Sequence, residues 1–157
     1  MTTTAEIADA VVVALSSVPG PIPVQAGRSW LPLADLTEME ALRVTVVPAG
    51  RTIAPAARDL LVHDHRIEIA VQKRVPSDAA ADLDPLEALV EGLALHLAHT
   101  PLVVSGQPVS GLSWVGSEHA PLVAHEHLNE LRQFTSLLVV TYRSWVPRGA
   151  NAQGGTP

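Results

Sequence analysis

The sequence contains no cysteine, which removes disulfide scaffolds, thiolate zinc sites, iron–sulfur ligation and cysteine nucleophiles together. Aromatic residues make up only 3% of the chain and charged residues 17%, the latter below the roughly 25% of an ordinary soluble domain. With 47% hydrophobic residues and a mean hydropathy of +0.24, any core has to be built from Leu, Val, Ile and Ala. Either some outer surface is buried against other subunits or the chain is a thick-cored monomer. Long apolar runs are missing too. The longest, residues 10–15 and 137–140, fall far short of the roughly 18–20 residues a membrane helix needs. The opening Met1-Thr2-Thr3-Thr4-Ala5-Glu6 lacks the basic start and apolar centre of a signal peptide, so the protein is expected to begin life in the cytoplasm. A length of 157 residues suits one domain, since independent domains run to about 100–200 residues. No internal repeat is visible.

Positive charge is absent from residues 77–131, which hold eight acids and no Lys or Arg. Residues 43–76 carry six basic groups (Arg43, Arg51, Arg58, Arg66, Lys73, Arg74) against three acidic ones. Residues 1–42 have one basic and five acidic groups, and the final stretch has Arg132, Arg143 and Arg148. Blocks of this kind predict one basic and one acidic face, an arrangement that favours self-assembly or oriented docking; a solvated charge pattern is the alternative. Nine of the ten basic residues are arginine, whose planar fork suits carboxylates at interfaces as well as phosphates. A nucleic-acid-binding domain is net basic. A net charge of −6 therefore argues against sequence-specific DNA binding.

Thr3 followed by Glu6 has the capping-box spacing, and Ile7, Val11, Ala14, Leu15 and Val18 recur at helical intervals, predicting a first helix over residues 4–17. Pro19, Pro21 and Pro23 end it. A short strand is expected around 24–31, a loop or one helical turn over 32–40, and a β-branched strand over 42–47 stopping at Pro48-Ala49-Gly50. Residues 49–58 read as a loop. Residues 60–74 alternate as a long half-buried strand with Leu61, His63, His65, Ile67, Ile69 and Val71 on one face. Asp84-Pro85-Leu86-Glu87 supplies an N-cap, a first-turn proline and an N3 glutamate for a second helix over 85–99. Strand or loop segments follow at 102–104 and 111–115, then a polar loop at 116–126, a helical turn at 127–133 and a final strand at 134–143. The expectation is an α+β domain over residues 1–143, one mostly antiparallel sheet of about five strands packed with two main helices in the order α-β-β-β-α-β-β. Residues 144–157 read as a C-terminal tail, flexible or ordered by a neighbour.

Among seven histidines, His63 and His65 share a strand face and His125 and His127 form a second pair, so a divalent ion is geometrically conceivable. Yet the first pair continues an apolar stripe, and no HExxH occurs; no metal site and no cofactor are expected, with His63 and His65 as the alternative. His96 and His99 fit a capping role at the end of the second helix. No GxSxG, GxxxxGK[ST] or GxGxxG is present, and Ser105-Gly106 and Ser110-Gly111 read as turns. No catalytic residue is assigned and no enzymatic activity is expected. Trp30, Trp114 and Trp145 read as core anchors or interface plugs.

Five fragments occur in a recognisable order: Glu6 to Val11, Leu42 to Pro48, His65 to Arg74, Leu83 to Glu91 and Gln133 to Arg143. In order, spacing and total length they resemble the tail terminator, or tail completion, proteins in the neck of long-tailed bacteriophages. The resemblance covers most of residues 4–143. It implies a virion protein assembled in the host cytoplasm into a homo-oligomeric ring, a hexamer, that caps the tail tube and stops its polymerisation. The implied partners are the tail tube protein and the head-side connector, with DNA passing through the lumen without sequence-specific binding and with no membrane involved. A ring needs two different patches that match. Arg43, Arg51, Arg58, Arg66 and Arg74 are the candidates for the positive patch, and Asp82, Asp84, Glu87 and Glu91 for the negative one. A head-closure or connector protein of the neck, and a cytosolic protein-binding dimer, are the alternatives.

Overall fold

The computed structural model describes residues 2–20, 22–31 and 41–149. The segment expected as a loop or helical turn at 32–40, and the end of the expected tail at 150–157, lie outside these residues.

Helix α1 spans Thr4–Leu15. Its start is set by the reciprocal cap: the Glu6 amide donates to Thr3 Oγ1 at 3.2 Å and the Thr3 amide donates to Glu6 Oε2 at 2.7 Å. These bonds hold the Glu6 carboxyl below its ordinary pKa. The helix buries Ile7, Ala8, Val11, Ala14 and Leu15, one apolar stripe at helical spacing. Strand β1 (Ala26–Arg28) then runs parallel to β2 (Arg43–Ala57), and β3 (Leu60–Arg74) returns antiparallel to β2. After α2 (Ala80–His99) come the small hairpin β4 (Val103–Val104) and β5 (Gln107–Pro108), then β6 (Ser113–His119), α3 (His125–Leu131) and β7 (Gln133–Pro147). Ser105 and Gly106 join β4 to β5 with φ of 52° and 78°, the left-handed pair that a two-residue hairpin turn needs.

The five-stranded sheet has the order β1-β2-β3-β7-β6. The α+β class and the sheet of five strands agree with the sequence expectation, but the sheet is mixed. Its parallel pair arises because β1 and β2 enter in the same direction, joined by residues 29–42, a connection of the length that a parallel crossover requires. Helices α1 and α2 cover one face. There Val44, Val46, Ile67, Ile69, Val71, Leu138 and Val140 meet Ile7, Val11, Leu15, Val90, Leu93 and Leu97 in a single core. The only phenylalanine, Phe134, is fully buried in it.

Several boundaries depart from expectation: β6 (Ser113–His119) runs into the stretch read as a polar loop at 116–126, the helical turn expected at 127–133 is the third helix His125–Leu131, and a small hairpin adds two short strands to the expected order. Helix α2 begins at Ala80, five residues before Pro85, which sits inside the helix. Three alanines at 79–81 favour helix strongly and Leu83 packs against the core, which together offset the cost of Pro85, whose missing amide and ring both act on the Ala81 carbonyl one turn back. Strand β2 does not stop at Pro48. It continues to Ala57 with bulges at Pro48/Gly50 and Pro55/Ala57, because its pairing with β1 ends at Val46 and a proline on an edge costs no ladder bond. Strand β7 runs past Arg143 to Pro147 and stays paired with β3 throughout, so the first four residues expected in the tail belong to the sheet.

Candidate functional site

The distal parts of β2, β3 and β7 form an arm beyond the helices. Ala57 pairs with Leu60 across the turn Arg58-Asp59, and β7 closes the third edge, where the Arg148 amide donates to the Asp59 carbonyl at 2.8 Å. Residues 51–59 are all exposed. At about 3.3 Å per residue, the six residues 52–57 carry the arm roughly 20 Å outward.

The register fixes its two faces. Ile53 lies beside His63, Pro55 beside Leu61, and Leu61 beside Val146, so these side chains share the face that α1 and α2 cover farther down. Ala54, Val62 and Trp145 share the other. Ile53 is 51% and Trp145 46% exposed. A thin blade apolar on both faces is a surface that water disfavours. Its charges are Arg51 at the base, in register with His65, Arg58 and Asp59 in the turn at the tip, and Arg148 just past the end of β7.

Two histidines lie at the root of the arm. His65 is fully buried, with Nδ1 3.0 Å from Thr4 Oγ1 and Nε2 2.9 Å from Ser144 Oγ. It pins the first turn of α1 to both β3 and β7. Burial, then the proximity of His63 and Arg51, lowers its pKa below the ordinary histidine value. His63 lies with its ring centroid 6.1 Å from that of His65. Hydroxyl groups engage both nitrogens of His65, and among the described residues no group of three or more His, Asp or Glu converges as metal ligands would. His125 and His127, two positions apart on α3, point in different directions, and His127 Nδ1 lies 2.9 Å from Thr135 Oγ1. At the end of α2, His99 Nδ1 donates to the Leu95 carbonyl at 2.7 Å, while His96 Nε2 donates across to the Ala14 carbonyl of α1 at 3.0 Å.

A second surface lies on α2. Its buried stripe is Leu86, Val90, Leu93 and Leu97. Beside an acidic stripe of Asp84, Glu87 and Glu91 runs an outward apolar one, Pro85, Ala88, Gly92 and Leu95, at the same helical spacing. Against it the α1–β1 loop leaves an apolar groove of about 250 Å³ lined by Val18, Pro19, Ile22, Ala88, Leu89 and Gly92.

The structure divides the expected arginine patch. Arg51 and Arg58 lie on the arm, whereas Arg66 is on the opposite sheet face with Nη2 3.3 Å from Glu68 Oε1. Arg43 and Arg74 lie at the far end of β3, where Arg43 pairs in register with Gln72 and Arg74 with Gln133. Asp82, Asp84, Glu87 and Glu91 remain together on the first half of α2, with Ser77 Oγ donating to Asp82 Oδ2 at 2.6 Å. Trp30, Trp114 and Trp145 are 68%, 40% and 46% exposed, so none is a core anchor. Sequence reasoning missed Ile53 on the arm and Ala88 and Gly92 in the groove, and it did not join to the arm Trp145, read as a core anchor or interface plug, or Arg148, counted only in the last basic stretch. The signal for Ile53 was the alternation that resumes at Thr52-Ile53 after Gly50; for the groove it was a glycine in the middle of a strongly patterned helix.

No protein-family model matches the sequence, and no curated protein matches it.

Proposed function

We propose that the chain is a tail terminator subunit of a long-tailed bacteriophage, a structural virion protein without catalytic activity. In this reading copies assemble into a ring, a hexamer, that caps the finished tail tube, stops its polymerisation and presents the opposite rim to the head-side connector. The five fragments that resemble the family fall in α1, β2, β3, α2 and β7, the elements that build the core.

The observation that carries the reading is the separation of two unlike surfaces. Arg51, Arg58 and Arg148 mark the arm at one end of β3, and the first turns of α2 follow from the other end. Two patches of opposite character at opposite ends of a subunit match between neighbours in head-to-tail order, the heterologous contact from which a ring closes. The chain's net charge of −6 also suits a channel through which DNA slides without adhering to the wall.

Electron microscopy of lysates from a phage lacking the gene tests this. Overlong tails beside DNA-filled, tailless heads are the expected result. Tails of normal length with empty heads would move the protein to head closure, and wild-type particles would remove it from the neck.

A further inference from the structure

We infer that the arm of one copy seats in the α2 groove of a second copy. This contact rests on the ring reading above and names its two surfaces.

The arm offers apolar faces, Ile53, Pro55 and Val146 on one side and Val62 and Trp145 on the other, with Arg51 at the base and Arg58, Asp59 and Arg148 at the tip, three positive charges against one negative. The groove offers the complement: an apolar floor of Ala88, Leu89 and Gly92 with Asp84, Glu87 and Glu91 along the same helix. Burying the apolar parts supplies the driving force, and the arginine–carboxylate rim sets orientation. The two surfaces belong to different copies because β3 is fifteen residues long, about 50 Å at 3.3 Å per residue, and the groove at residues 88–92 comes back only about 12–18 Å along α2 from its start, roughly 30 Å short of the arm tip.

Two details favour a second copy that docks by side chains. Pro48, Pro55 and two bulges interrupt the free edge of β2, which are the devices that prevent strand-on-strand pairing. Gly92 stands in the middle of a twenty-residue helix, where a Cβ would meet no atom of the described residues within 4 Å. Glycine there weakens the helix with no close contact among the described residues to require it; an incoming apolar blade supplies the need.

Because the chain has no cysteine, introduced thiols report this contact alone. Full-length Ile53→Cys and Ala88→Cys variants are purified separately, mixed, concentrated and oxidised, and the assembly state of the unmodified chain is measured in parallel by native mass spectrometry. Disulfide-linked pairs in the mixture and not in either variant alone, with the double variant I53C/A88C giving a ladder that ends in a closed ring, is the expected result. Rings in the unmodified chain without any 53–88 linkage would overturn the arm-in-groove contact and leave the ring reading standing. Linkage that stops at two copies would keep the contact and overturn the ring. Neither linkage nor assembly at the highest concentration reached would overturn the contact, leaving the phage lysates to decide the function.

Discussion

Asp64 on β3 and Arg143 on β7 face each other at the root of the arm, where Arg143 Nε donates to Asp64 Oδ1 at 2.7 Å and Nη2 donates to Oδ2 at 2.9 Å. The paired hydrogen bonds from the guanidinium hold the Asp64 carboxyl below its ordinary range, and the carboxylate in turn raises the Arg143 pKa. The same guanidinium lies 6.0 Å from the Trp145 ring. The pair therefore joins the two strands at the point where the arm leaves the support of the helices.

Replacing Asp64→Asn keeps the shape and removes the charge. Both side chains are about one-third exposed, at 28% and 37%, so solvent screening limits the expected loss to about 1 kcal/mol or less. Urea unfolding at low and high salt measures it. A loss that shrinks with salt marks an electrostatic clamp, and no loss in either buffer would show the pair to be inert.

His65 makes stability depend on pH. Its folded pKa lies below the ordinary value of 6.5, so as pH falls through 6.5 the unfolded chain takes up a proton that the folded chain refuses. Stability thus falls with acidification through that window, by at most about 1.4 kcal/mol per pH unit for one proton. Asp64, with its folded pKa depressed below 3.8, adds a separate loss once pH drops below that value. Thermal melts from pH 7.5 downward should show the upper limb in the wild type and a flatter one in His65→Gln. Identical profiles would assign the limb to other groups.

Gly92→Ala should raise the stability of the isolated subunit by about 0.5–1 kcal/mol, the cost of glycine in a helix interior, since the added methyl comes within 4 Å of no atom of the described residues. Gly92→Trp should leave the subunit folded and block assembly by filling the groove. Calorimetry reads the first effect and sedimentation velocity the second. Unimpaired assembly of the tryptophan variant would exclude the groove from the interface.

Reversing the arm's charges, Arg58→Glu together with Arg148→Glu, should weaken self-association on the order of tenfold, equivalent to about 1.4 kcal/mol. Adding Glu87→Arg and Glu91→Arg should restore it. Sedimentation across a concentration series measures both, and a reversed arm that is not rescued by a reversed helix would separate the two surfaces.

The α+β class, the single core and the limits of β3 were legible in the sequence because they depend on local periodicity. Ile7, Val11 and Leu15 recur at 3.6-residue spacing, and Ile67, Ile69 and Val71 alternate at spacing two, whatever packs against them. The Thr3–Glu6 cap is local in the same sense.

Tertiary structure decided the rest. Pro48 reads as the end of a strand until β2 is known to be an edge there, where the missing amide costs nothing. Asp84-Pro85 reads as a helix start until Leu83 is seen to pack on the core and draw one more turn into α2. The parallel pairing of β1 with β2 rests on three residue pairs, too few to leave a pattern of their own. Arg51, Arg58 and Arg74 form one block of charge along the chain. An extended strand carries neighbours apart at about 3.3 Å per residue, so folding sends Arg58 and Arg74 to opposite ends of the subunit while the helix keeps Asp84, Glu87 and Glu91 on one flank.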